Sequence, residues 1–515
     1  MKPFLIVALS IGLHCTAVAQ ALFHSEITKQ ALESGSLFPF GVASGDPRQD
    51  KVVLWTKVFS TENKSQFNVK WSIAIDTTMN NIVDSGMVIA NQSTAFTVHV
   101  EAQKLLPGVT YFYQFEVDGK FSPIGRTRTV PENPDLLRFA VVSCADYQSG
   151  YFNAFALIAG RKDLDAVVHL GDYIYESGAR AGAIRAHIPP HEIISLNDYR
   201  SRYAQYRLDT DLAEAHRLHP FILIWDDHEF VNNSFKNGAD NHDANEGDWE
   251  ERQSIARQVY FEWMPVMNPE QKTIIRKFNY GGLADLFMLD GRLEGRAQPM
   301  VDFRDPRLNL PEQTMLGNAQ TDWLTEGLLN SNAKWKVIGN PVMFSAMDFT
   351  KLAKNRQRNM DGWDGFPSNR DYIFQKLESK DVRNVVVITG DIHTSWAMDL
   401  TRNPMDKAIY NRRTGKGVIG AEFITPSISS RNLDEMQGKF VASMAESVTK
   451  SSKRNPHLRY VNLTNHGYML LDLTAQQSKA TWIYCKTLKI KSLKVKPMKS
   501  YGFLFNGSHL VKEQP

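Results

Sequence analysis

Between Phe38 and about Pro131, apolar and polar residues alternate in short runs, KVVLWTKV, FNVKWSIAI, FTVHVEAQ and TYFYQFEVDGK, set apart by turn-rich pieces. A period of two puts every second side chain on one face of an extended chain, so residues 36–131 predict a small all-β antiparallel sandwich. The segment TVPENPDLLRFAVVSC closes this region with prolines and a charged turn. After it come short β-branched runs, among them RFAVVSC, DAVVHLGD, FILIWDDHE, WKVIGNPVMF and NVVVITGDIH. Between them DYRSRYAQYRLDTDLAEAH and EERQSIARQVYFEW repeat apolar residues at three and four positions, the helical period. Strand runs alternating with helical ones predict an α/β domain with a mixed sheet core over residues 136–490.

Composition adds little to that picture, and the N-terminus adds more. A chain of 515 residues with 43% hydrophobic content has enough apolar material for a large domain and a smaller module. Its formal charge of +3 gives no global reason to expect nucleic acid or an acidic membrane as partner, and the basic tail, residues 491–515, reads as solvated surface. MKPFLIVALSIGLHCTAVAQA has an early lysine, an apolar run and Ala17-Val18-Ala19 before Gln20, so residues 1–19 predict an export signal. A lipoprotein reading through Cys15 is disfavoured by His14, and the leader carries no twin arginine. No later segment approaches the roughly 20 apolar residues of a membrane span, and the expected location is periplasmic or extracellular. Cys144 and Cys485 could form one disulfide there, but Cys144 ends an apolar strand, where ligands are favoured, and Cys485 reads as buried and inert.

Polar residues gather at the ends of four apolar runs: Cys144-Ala145-Asp146, Gly171-Asp172 with Tyr175, Asp226-Asp227-His228-Glu229, and Gly390-Asp391-Ile392-His393. Strand carboxyl ends are where open α/β sheets collect ligands. Residues two apart in extended backbone point the same way, so Cys144 with Asp146, and Asp391 with His393, are expected to project into one cleft. A residue three beyond a strand-end aspartate can turn back, letting Asp172 bridge two ions while Tyr175 binds one.

The order SCAD, GDYIYE, WDDHEF and GDIH resembles the PhoD-type alkaline phosphatases, a branch of the dinuclear metallophosphoesterases. FPFGVASGDP, VVLWTKV, NDYRSRYAQYRLDTDL, DGWDGFP, EFITPSISS and NHGYMLLDLT extend the resemblance over nearly the whole chain, and LLPGVTYFYQFEV resembles fibronectin type III modules. The family implies a calcineurin-like metallophosphoesterase sandwich of mixed sheets flanked by helices, preceded by a fibronectin III-like domain. The wider superfamily ends its first strand with Asp-x-His and closes with Gly-His-x-His; here Cys144 and Asp146 replace the first pair, and Asp391 replaces a histidine. One ion would then see Cys144, Asp172, Tyr175 and His393, a set suited to Fe3+. The other would see Asp172, Asp227 and Asp391, with Asn340 of the GNP turn as a further candidate, all hard oxygens suited to Ca2+. The resemblance implies the same two metals. It also carries over to His228 a contact with the substrate phosphate or leaving group, with Asp226 and Glu229 orienting the site. Arg200 is the expected phosphate clamp, with Arg292 and Arg296 as rivals.

The expected reaction is hydrolysis of phosphate mono- or diesters by a metal-bound hydroxide, with Asp172 and His228 as catalytic residues. No Gly-x-Ser-x-Gly elbow and no Gly-rich phosphate loop competes with it. A secreted calcium-stabilised binding protein, and the same hydrolase with two divalent ions such as manganese or zinc, are the alternatives. The partner expected is a small or polymeric phosphate ester, and the chain is expected to be a monomer.

Overall fold

The computed structural model describes residues 23–515 apart from 61, 63, 267–272, 351–357 and 451–452. The expected export signal, with Cys15, lies outside the described residues. Two large sheets dominate. At the centre of a ten-stranded sheet, Leu136–Val142, Ala166–Leu170 and Pro220–Ile224 run parallel as neighbours. The last two are buried at every position, which is why they read as unbroken apolar runs: a parallel strand covered on both faces has no solvent side to alternate with. In a seven-stranded sheet, Trp335–Asn340 and Val385–Thr389 are parallel neighbours, followed by Val418–Ile424.

One apolar cluster draws on both sheets, including Val141, Val168 and Ile222 from the first and Leu286, Val337 and Ile388 from the second. Each such side chain contributes about 1.5–3 kcal/mol on burial, so the layers are held mainly by this shared interior. The two sheets also touch at their edges of function. Ser143 bridges Ser427 in parallel, and the Thr425 hydroxyl donates to the Val141 carbonyl at 2.9 Å. Both contacts lie just past strand carboxyl ends, so the endings of the two sheets are brought together.

The alternating strands before Pro131 are distributed over two sheets. Val42–Gly45 pairs in parallel with Pro220–Ile224, and Val52–Lys57 and Thr97–Ala102 extend the same ten-stranded sheet. Gln66–Ala74, Ile82–Asn91, Thr110–Val117, Lys120–Phe121 and Gly125–Arg128 form a separate antiparallel sheet. At the other end, Lys499–Leu504 and Val511–Glu513, expected within a solvated tail, add two edge strands to the large sheet, with Phe503 and Leu510 buried. The long helical pattern after Ser195 is two helices. Leu196–Arg207 opens with a Ser195–Asp198 capping box, and Thr210–Leu218 starts where the Asp209 carboxylate accepts from the amides of Asp211 and Leu212. The two cysteines in the described residues are both free and buried, so no disulfide joins them.

Candidate active site

The loops after the parallel strands of both sheets carry the predicted cluster. Cys144, Asp172 and His393 each offer a ligand atom within 4.8 Å of the others; so do Asp172, Asp227 and His228, and so do Asp226, Asp227 and Asp391. Asp172 is common to the first two groups and Asp227 to the last two. The Tyr175 hydroxyl joins the first group, donating to Asp172 Oδ2 at 3.0 Å and standing 3.4 Å from His393 Nε2.

Local backbone makes this convergence possible. Cys144, Asp172, Asp391 and His393 all have φ between 55° and 63°, the left-handed region that side chains with a Cβ seldom occupy. Such residues cost on the order of 1–3 kcal/mol each and persist where surrounding structure over-determines them. The kinks, rather than extended geometry, aim the side chains. Asp146 accordingly leaves the cluster: its carboxylate caps the following turn, accepting from the Gln148 amide at 2.9 Å. Glycine is required beside two of the kinks. A Cβ on Gly171 (φ 100°) would lie 2.4 Å from the Asp226 Cβ, and one on Gly390 would lie 2.8 Å from the Ser143 Cβ.

Buried partners fix the donors. Glu229 accepts from the amides of Asp172 (3.0 Å), Tyr173 (2.6 Å) and Asp226 (2.8 Å), tying two strand endings together as an orienting group. The Arg431 carbonyl accepts from His393 Nδ1 at 3.0 Å, which puts the proton on Nδ1 and leaves the Nε2 lone pair facing the cluster. The Ser430 hydroxyl stands 2.6 Å from the Tyr175 oxygen and 2.9 Å from the Cys144 carbonyl. His228 Nδ1 meets the Glu176 carboxylate at 2.6 Å, and its ring lies 4.2 Å from that of Tyr175, tilted by 32°. Sequence reasoning misses Glu176 and Ser430, although GDYIYE and EFITPSISS contain them.

The arginines have other duties. Arg200, expected to clamp phosphate, is buried and forms a two-pronged pair with Glu262 at 2.8 and 2.6 Å; it fastens two helices and is not the anion clamp. Arg292 is fully buried, bonded to Asp226 and, at 2.8 Å, to Asp361, with a terminal nitrogen 3.4 Å from Asp227 and 3.6 Å from Asp391. Arg296 pairs with Asp361. Both act as counter-ions to the carboxylates. The Asn340 amide donates to the Val342 carbonyl and accepts from Trp363 Nε1 at 3.0 Å, so protein partners engage both its ends.

Acids outnumber cations here. Burial pushes the Asp172 and Asp391 carboxyls well above the usual range, and Asp227 and Asp226 add to the push on both. Burial raises the Cys144 thiol and the Tyr175 phenol, each with help from Asp172. Burial likewise lifts Asp226 to about 6 and Glu229 to about 7, against the opposing pull of Arg292 and of backbone amides respectively. Asp227 is held down at about 2 because Arg292 and His228 outweigh its burial. Burial takes His393 down to about 4, keeping its imidazole neutral. Burial also opposes charge on His228, but Glu176, Asp227 and Asp172 together win and hold it protonated. One oxygen of Asp226 and one nitrogen of Arg292 have no hydrogen-bond partner. Crowded acids with raised pKa values and unsatisfied oxygens are the signature of a cation site. The donors fit metals: thiol, phenol and imidazole on one side, carboxylates on the other.

A fold that gathers carboxylates, a thiol, a phenol and imidazoles at the joint carboxyl ends of two sheets has the donors of a hydrolytic centre, and comparison with known proteins gives its class as a phosphoesterase. The PhoD-like phosphatase model matches residues 139–482 and its N-terminal domain model residues 24–131, so the chain belongs to the PhoD-like phosphatase family. It is 36% identical to alkaline phosphatase D of Bacillus subtilis over 499 residues, covering 93% of this chain and 82% of that protein. A solved structure described as the structure of PhoD superposes with a TM-score of 0.80 at 33% identity, covering 93% of each chain. The chain is an enzyme that acts on phosphate esters. Among the described residues no helix is long and apolar enough to cross a membrane.

Proposed function

We propose that this chain is an exported, monomeric hydrolase of phosphate mono- and diesters working at a dinuclear centre, with Fe3+ held by Cys144, Asp172, Tyr175 and His393, and Ca2+ by Asp172, Asp227 and Asp391. The observation that carries the reading is the sharing of Asp172 between two ligand groups of different chemistry, one with thiol and imidazole, the other with carboxylates. On this reading the strands of the two large sheets that fall within residues 136–490 are the calcineurin-like sandwich, extended at its edges by strands from before and after that range, and the separate antiparallel sheet within residues 66–128 is what corresponds to the fibronectin III-like module.

Bound cations would supply an activated water near neutral pH and neutralise charge on the phosphoryl oxygens. The rest is the chain's own work. His393 presents Nε2 because Arg431 holds its other nitrogen, and the Ser430 hydroxyl, 2.6 Å from the Tyr175 oxygen, opposes the rise that burial and Asp172 impose on that phenol. His228, kept as an imidazolium by Glu176, is placed to bind a phosphate oxygen and to give its proton to the departing alkoxide. His228 lies within ligand distance of Asp172 and Asp227, but the Glu176 carboxylate engages its Nδ1 at 2.6 Å, which leaves Nε2 for the phosphate. Arg292 offsets the charge of Asp226 and Asp227 so that the Ca2+ site is not over-negative.

The test joins elemental analysis of the purified chain to assay of p-nitrophenyl phosphate and bis-p-nitrophenyl phosphate. A coloured protein with one iron and with calcium, cleaving both esters until chelated, is expected. Colourless, fully active protein holding manganese or zinc would replace the metal assignment. Calcium-loaded protein without activity would favour the binding-protein alternative.

A further inference from the structure

The longest departure from the chain's near-neutral charge is not at the active site. Residues 486–499, KTLKIKSLKVKPMK, hold six lysines and no acidic residue. They form an irregular arch between the strands Gln477–Tyr484 and Lys499–Leu504. The arch is firmly seated: the Tyr151 amide donates to the Leu488 carbonyl at 2.8 Å, and the Asn153 amide group donates to the carbonyls of Thr487 (2.7 Å) and Ile490 (3.0 Å). Leu488 is the buried plug. Its other apolar side chains face out, Ile490 and Leu493 each 65% exposed, with Val495 and Met498 also exposed. Lys486, Lys489, Lys491, Lys494 and Lys499 are exposed among them.

A second outward apolar face lies beside it. The helix Lys439–Thr449 exposes Phe440 (80%) and Met444, and the preceding helix Leu433–Gln437 exposes Met436. Arch and helices are tied to one turn. Lys496 Nζ donates to Asn465 Oδ1 at 2.6 Å, the Cys485 amide donates to the His466 carbonyl at 2.9 Å, and His466 Nε2 meets Glu435 at 3.1 Å. The same histidine reaches Ser427 Oγ at 2.9 Å, in the loop that also carries Ser430 and Arg431. The surface therefore adjoins the loop that holds Tyr175 and His393. Most acidic groups near it are paired: Asp211 with Lys491 at 3.4 Å, Glu214 with Arg217, Glu435 with His466 at 3.1 Å, and Glu446 with Lys450 at 2.6 Å.

We propose that this surface docks the enzyme on an anionic phospholipid bilayer. Lysines alone would suit any polyanion. Here they alternate with exposed aliphatic side chains, a combination that loses free energy in water and gains it in a headgroup layer. A cluster of four to eight basic residues is the electrostatic half of such binding, and inserted apolar side chains are the other half. The claim concerns where the enzyme sits and stands whatever metals or ester the site takes.

The test is co-sedimentation of the full chain with vesicles of phosphatidylcholine alone or mixed with phosphatidylglycerol, and in parallel binding to soluble polyphosphate. Partitioning at least about tenfold stronger on the anionic vesicles, weakening as salt shortens electrostatic range, is expected. Lys489→Glu with Lys494→Glu should lower it by at least about tenfold. Ile490→Ser with Leu493→Ser should lower it by about tenfold while leaving polyphosphate binding unchanged. Melting temperature and p-nitrophenyl phosphate turnover of both variants should match the parent, since the four side chains are exposed and outside the site. Equal binding to neutral vesicles, binding indifferent to the lysine reversals, or capture of polyphosphate without vesicles would each overturn the proposal.

Discussion

Two buried charge clusters in this molecule differ in a single respect. Between the helices Leu196–Arg207 and Trp249–Trp263, Arg200 meets Glu262 with two short hydrogen bonds, cation for anion. At the strand ends Asp172, Asp226, Asp227, Asp391, Glu176 and Glu229 crowd together against Arg292, His228 and, through Asp361, Arg296. The first cluster is complete as it stands. On the proposed reading the second is completed by bound cations. A buried carboxylate is thus no pointer to function by itself; a buried surplus of them is.

The largest break comes from emptying the surplus site. Asp172→Ala should cost roughly 10³-fold or more in turnover and release metal, read by steady-state assay and elemental analysis. His228→Ala should cost on the order of 10²–10⁴-fold while metal content stays whole; loss of metal from that variant would make His228 a ligand. The balanced cluster should answer in the opposite way. Arg200→Met, which strands Glu262, should destabilise by about 3–5 kcal/mol in denaturant melts with turnover per folded molecule unchanged, and Arg200→Met with Glu262→Leu should recover most of that. Between these extremes, Ser430→Ala should lower turnover about 10–100-fold and move the visible absorption of the protein, because the Tyr175 oxygen loses its neighbour.

An effect that no single-site assay reads belongs to buried groups held neutral. Burial holds His169 and His457 down at about 3, and His219 at about 4, against roughly 6.5 in the unfolded chain. Unfolding therefore takes up protons as pH falls below about 6.5, and stability declines from there towards the folded values, by up to about 1.4 kcal/mol per pH unit for each histidine. Melting temperatures from pH 7 to pH 4 measure this slope, and His457→Gln should flatten it.

Much of the cluster is legible in the sequence because its strands are covered on both faces. Unbroken apolar runs such as AVVHL and VVVIT end abruptly, and the residues just beyond them have to sit at a sheet's carboxyl edge. The aim of individual side chains is not legible. Spacing pairs Asp146 with Cys144, but a left-handed Cys144 turns the chain and sends Asp146 to cap the next turn. Arg200 reads as available because its partner Glu262 lies sixty-two positions away, and no local pattern announces a contact between helices. Glu176 is hidden in plain view beside Tyr175, since only the fold brings it to His228.

The left-handed backbone at Cys144, Asp172, Asp391 and His393 has an evolutionary price. Glycine would relax the chain at any of these places, so selection for firmness alone would drift towards glycine there and end with a sturdier, inert protein. If the proposed centre is right, these kinks carry side chains because function there outweighs the ease of the backbone.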